Sequence, residues 1–68
     1  MQVTAVLTPA EEGGYIAYNP ETRTTTQGET VEEALAMLKE AVELYLEDEE
    51  LVLTRPPLVT TLTIGDHA

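Results

Sequence analysis

Two periodicities divide the chain. Between Gln2 and Thr8, Val3, Ala5 and Leu7 alternate with Thr4, Val6 and Thr8, the period of two that predicts a strand. Pro9-Ala10-Glu11-Glu12-Gly13-Gly14 reads as a turn, because proline cannot continue a ladder and glycine accepts positive φ. Tyr15 to Tyr18 is aromatic and apolar, which predicts a second strand, and Asn19-Pro20-Glu21 breaks it. Arg23-Thr24-Thr25-Thr26-Gln27 is β-branched and polar, which suits an edge strand, and Gly28 bends the chain towards the next element.

From Thr30 to about Glu49 the period changes. Val31, Ala34, Leu35, Leu38, Ala41, Val42, Tyr45 and Leu46 recur at steps of three and four, which places them on one helical face. Glu32, Glu33, Ala36, Lys39, Glu40, Glu43 and Glu47 fall opposite. Thr30-Val31-Glu32-Glu33 fits a capping box with Thr30 as N-cap. At ~1.5 Å per residue such a helix is about 28 Å long and crosses a whole small sheet. Tyr45 is expected in the core. Past the helix, Arg55-Pro56-Pro57 blocks helical structure, and Leu58 to Ile64 alternates again, with Leu58, Thr60, Leu62 and Ile64 on one side.

The order β-β-β-α-β predicts one α+β domain over residues 1–68, a mixed four-stranded sheet with the helix packed on one face. The last strand is expected parallel to the first through a right-handed crossover. The other sheet face then lacks a cover, and Val6, Ile16 and Tyr18 are expected there among threonines. Tyr15 and Tyr18 point to opposite sides of one strand, so one packs inside while the other faces outward, where a tyrosine suits an interface.

Composition sharpens this picture. A chain of 68 residues hides only about 60% of the surface its unfolded form exposes, and small domains recover the deficit with disulfides, metals or oligomerisation. No cysteine is present and the single histidine, His67, is next to last, so a homo-oligomer is the expected remedy, with Val6, Ile16 and Tyr18 as its candidate surface. Thirteen acidic residues against three basic ones give a net charge of −10, which repels phosphate backbones and argues against direct nucleic-acid binding. The same charge permits a basic protein partner. Glu47, Asp48 and Glu50 crowd the helix end, where the dipole favours cations; they are a solvated end or an acidic patch offered to such a partner. The start carries no basic region and no long apolar run, so a cytoplasmic chain with no membrane contact is expected.

Candidate chemistry is sparse. Gln2–Thr8, Tyr15–Tyr18 and Leu58–Ile64 contain no acid, so no carboxylates converge from rigid strands for metal or acid–base work. Glu40, Glu43 and Glu47 share a helix face, as solvated charges do. Cysteine and serine are absent, and no histidine lies near the threonines to activate them. Gly13-Gly14 sits in a hairpin and opens no helix, so no phosphate cradle is indicated. No catalytic residue, metal or cofactor is expected.

Gly13-Gly14-Tyr15-Ile16-Ala17, Pro20, the run Thr26-Gln27-Gly28-Glu29-Thr30-Val31-Glu32-Glu33-Ala34-Leu35 and then Ala41-Val42-Glu43-Leu44-Tyr45-Leu46 resemble the HicB-like antitoxin family across about Val3 to Glu47. The resemblance implies a β-β-β-α-β core described as a partial RNase H fold. It also implies a partner, a small basic mRNA-cleaving toxin that the domain masks. Many members carry Pro-x-Leu-Pro-Gly after the second strand, where this chain has Asn19-Pro20-Glu21-Thr22-Arg23. Many also carry a C-terminal DNA-binding domain, and with the sequence ending at Ala68 none is expected here, nor repression of an operon by this chain alone. Two functions therefore stand: an antitoxin-type protein acting by association, or a stand-alone oligomeric domain with a regulatory or small-ligand role. A minimal nuclease would need a carboxylate cluster that the strands do not supply.

Overall fold

A computed structural model describes residues 1–48 and 57–65. Three antiparallel strands, β1 (Val6–Pro9), β2 (Tyr15–Asn19) and β3 (Thr24–Gly28), form a sheet in the order β1-β2-β3, and helix α1 (Val31–Asp48) follows. The expected α+β order is present through its first four elements. Register pairs Val6 with Tyr18 and Thr8 with Ile16, then Tyr18 with Thr25 and Ile16 with Gln27. Residues opposite one another share a face. Leu7, Ala17 and Thr26 therefore belong to the helix side, and Val6, Ile16 and Tyr18 to the other, as the alternation predicts.

Helix α1 begins where its cap directs. The Glu33 N–H donates to the Thr30 hydroxyl at 3.0 Å, while the Glu33 carboxylate accepts from the Glu29 N–H at 3.0 Å. The reciprocal bond thus reaches one residue ahead of the N-cap, a variation on the expected box. The helix lies over β3 and β2, and Ala17, Ala34, Leu38 and Val42 form the buried core with Leu7, Tyr15 and Leu46 packed against it. Small residues permit the close approach. A Cβ on Gly28 would stand 2.5 Å from the Ala34 nitrogen, and one on Gly14, at φ 79°, would stand 2.5 Å from the Gly28 oxygen. The Thr26 hydroxyl donates to the Ala34 carbonyl at 3.1 Å, tying β3 to the helix.

Three expectations need correction. First, β1 starts at Val6 and not at Gln2; Val6 pairs with Tyr18 and β2 ends one residue later, at Asn19, so the residues before Ala5 have no ladder partner on β2. Pro9, expected in the turn, closes β1 at the sheet edge opposite Tyr15, a place that tolerates a missing N–H. Second, Tyr45 is 39% exposed. Leu46, the next residue, still packs against the core, so Tyr45 lies at the exposed margin of the apolar stripe. Third, a fourth strand is not seen over Leu58–Ile64: residues 57–65 are exposed, and among the described residues the sheet holds three antiparallel strands. The Arg55-Pro56 break and the tail from Asp66 lie outside the described residues.

Candidate association surfaces

The helix-free sheet face is built by the period-two pattern of all three strands. Val6 and Ile16 are half-buried there and Tyr18 is 37% exposed, with Thr8, Thr25 and Gln27 opposite them in register. The three apolar residues singled out for association are therefore brought together, with Val6 directly facing Tyr18 across the ladder.

A second surface was not anticipated. The helix sits over β2 and β3, so the chain ahead of β1 is left beside the helix flank without a cover. Between them opens an apolar groove of about 410 Å³. Met1, Val3 and Ala5 form one wall and Leu35, Val42 and Leu46 the other, with Lys39 and Glu43 at its margin. The signal was present: Val3 and Ala5 share the parity of Leu7, and Leu35 and Leu46 lie on one flank of the apolar helix stripe. What sequence could not show was the sideways offset of the helix.

The acidic helix end is only partly in view. Glu47 is exposed, Asp48 closes α1, and Glu50 lies outside the described residues. No basic residue occupies the last turn, so Glu47 meets the unfavourable end of the helix dipole.

The Asn19-Pro20-Glu21 break holds a polar staple that the sequence reading passed over. Asn19 is fully buried. Its carboxamide oxygen accepts from the Thr22 N–H at 2.8 Å and the Thr22 hydroxyl at 2.7 Å. Its nitrogen donates to the Thr4 carbonyl at 2.7 Å and the Glu21 carboxylate at 2.6 Å. Glu21 also accepts from the Thr4 N–H at 2.9 Å and the Thr4 hydroxyl at 2.7 Å. Partial burial pushes the Glu21 carboxyl up, but the hydrogen bonds from Thr4, its own backbone N–H and Asn19 outweigh that and hold it below the ordinary glutamate value. An asparagine before Pro-Glu-Thr is an Asx-turn signature, so the cluster was legible in principle. It anchors the N-terminal chain and is a structural joint.

Chemically the described residues offer little beyond contact. Among them no group of three metal-ligating side chains converges, and no buried side-chain nitrogen or oxygen lacks a hydrogen-bond partner. No described helix is long and apolar enough to cross a membrane.

The sequence matches a family of unknown function, DUF7387, over residues 4–65. It is 40% identical to the antitoxin HicB of Escherichia coli K12, and equally to that of Escherichia coli O157:H7, over 98% of this chain and 49% of each relative. It is 46% identical to a UPF0150 protein of Synechocystis over 69% of this chain and 67% of that protein. The chain thus spans about half the length of the HicB antitoxins it matches. No solved structure matches it at a significant level. The relatives with a stated role are named as antitoxins. Several motif residues behind the likeness, Gly14, Thr26, Gly28 and Ala34, meet at one corner of the fold. There they set the distance between sheet and helix.

Proposed function

The chain belongs to the UPF0150/DUF7387 family and is homologous to HicB antitoxins along nearly its whole length, and from that premise we propose that it is an antitoxin-type unit that neutralises a small basic mRNA-cleaving toxin by binding it. The observation that carries the reading is the 40% identity over 98% of the chain. A net charge of −10 supports it, since an acidic surface draws a basic partner and speeds encounter. The acidic helix end with Glu47, Asp48 and Glu50 contributes to that attraction. The open sheet face with Val6, Ile16 and Tyr18 serves self-association, because burying it completes a small core. The work is done where the family is expected to work, in the cytoplasm.

Inhibition tests the reading. A small basic mRNA-cleaving toxin is held at fixed concentration, the chain is titrated in, and RNA cleavage is followed. Stoichiometric loss of cleavage supports the proposal, and full cleavage at saturating chain refutes it. The groove favours a second reading, a stand-alone oligomeric domain that takes a small apolar ligand, because about 410 Å³ falls within the roughly 300–1,000 Å³ of small-molecule sites. Loss of inhibition with self-association intact would move the assignment there.

A further inference from the structure

The apolar stripe of α1 is wider than the core needs. Ala34, Leu38 and Val42 are buried against the sheet, and Leu35 and Leu46 line the groove on the side of β1. Met37 and Leu44 do neither, and stand 50% and 58% exposed. At ~100° per residue, Leu44 lies about 180° around the helix from Leu35, and Met37 about 180° from Leu46. Both therefore face away from β1, on the flank above β3, the outermost strand of the described sheet. Half-buried Ala41 lies between them, and exposed Tyr45 extends the patch by one turn.

The charges of this flank are as ordered as its apolar residues. Glu33, Glu40 and Glu47 are exposed. Each is three or four positions from Met37 or Leu44, so they run beside the apolar pair as one rail. Lys39, the one cation of α1, stands on the opposite flank at the groove. Beneath the patch, the edge strand Thr24–Gly28 carries neither charge nor proline, the guards that usually keep an edge from pairing.

We propose that this flank, Met37, Ala41 and Leu44 with the rail of Glu33, Glu40 and Glu47 along it, is the surface that receives a basic protein partner. It deepens the antitoxin reading, on which it rests, by placing the contact on one side of one helix. Charge sets the occupant. A partner surface whose apolar side chains are bordered by lysines or arginines meets both rows at once. A second copy does not fit, because a two-fold contact here would bring three glutamates of each chain together in a molecule of net charge −10. Nucleic acid meets the same repulsion. Burial of Met37 and Leu44 supplies adhesion, while the rail supplies encounter rate and orientation.

Matched variants on the two flanks test it, in the full chain and against the small basic mRNA-cleaving toxin of the inhibition titration. Leu44→Ser and Glu40→Lys alter the proposed flank. Leu35→Ser and Glu43→Lys make the same changes at the groove, so composition and net charge are equal within each pair. All four residues are exposed, and circular dichroism checks that each variant is folded; where one is not, the other pair decides. Leu44→Ser should weaken binding about tenfold or more, through faster dissociation. Glu40→Lys should slow association roughly threefold or more at low salt and flatten its salt dependence. Leu35→Ser and Glu43→Lys should stay within about twofold of the parent. Equal effects within the pairs, or a loss at the groove alone, overturn the proposal and leave the antitoxin reading standing. A parent chain that does not bind at all removes that reading and this surface together. A Leu44→Ser chain whose mass by light scattering falls from an oligomer to the monomer shows a contact between copies, and that also overturns it.

Discussion

Replacing Gly28 with alanine probes the approach on which the whole sheet–helix contact depends. The added Cβ would lie 2.5 Å from the Ala34 nitrogen and 2.9 Å from both the Ala34 Cα and the Glu33 carbonyl carbon. Carbon contacts settle near 3.5–4.0 Å, so strand and helix must part by roughly 1 Å. All three atoms are backbone, and no rotamer change relieves the clash. A gap of that size forfeits roughly a quarter to a half of the dispersion between facing atoms, in the contact that buries Ala17, Ala34, Leu38 and Val42. Overpacking of this kind costs about 1–3 kcal/mol, and the stiffer unfolded chain returns only about 0.4–1 kcal/mol. A net loss of about 1.3 kcal/mol lowers Tm by about 5–10 °C in a domain of this size. Gly13→Ala is the control: its Cβ meets nothing within 4 Å, but its φ of 103° carries backbone strain. Melting curves by circular dichroism, at one chain concentration, compare the two. If Gly28→Ala melts with the parent, or loses no more than Gly13→Ala, the argument from close approach is wrong.

The Glu21 staple predicts a pH dependence. Its carboxyl is held low in the folded chain, so its stabilisation is complete above the unfolded value and fades as pH falls through the folded one. The stability gap between the parent and Glu21→Gln should therefore be widest near neutrality and narrow on acidification. A gap that is constant from pH 7 down would sink this account of the staple. Arg23 sits at φ 60°, where a side chain costs about 1–2 kcal/mol. Arg23→Gly should raise Tm by a few degrees, after about 0.4–1 kcal/mol is lost to the freer unfolded chain; a lower Tm would mean that the arginine side chain holds a contact. Tyr18→Glu and Ile16→Glu place charge on the open sheet face and should yield monomers. Unchanged mass in both variants removes that face as an interface.

Helix and hairpins were legible because each rests on local rules. The Thr30 cap, the three-four spacing from Val31 and the alternation through Ile16 and Tyr18 need no distant partner to be read. The Gln2–Thr8 alternation misled at its start because a strand requires a neighbour, and β2 runs out at Asn19. Leu58–Ile64 has the pattern of a strand, yet no ladder among the described residues includes it. Gly28 was read as a bend, yet its role is a close approach that exists only once the helix has docked. Tyr45 fits the helical stripe but sits at its exposed margin, while Leu46 packs against the core. The groove combines two readable stripes whose meeting depends on the helix offset, which no spacing encodes.

The central claim, that this chain acts by binding a basic toxin, is tested most directly by titration calorimetry against a small basic mRNA-cleaving toxin at low and at high salt. The account predicts saturable binding that weakens as salt rises and weakens further when Glu47, Asp48 and Glu50 are changed to lysine. Absence of binding at low salt, where attraction between opposite charges is strongest, would contradict it.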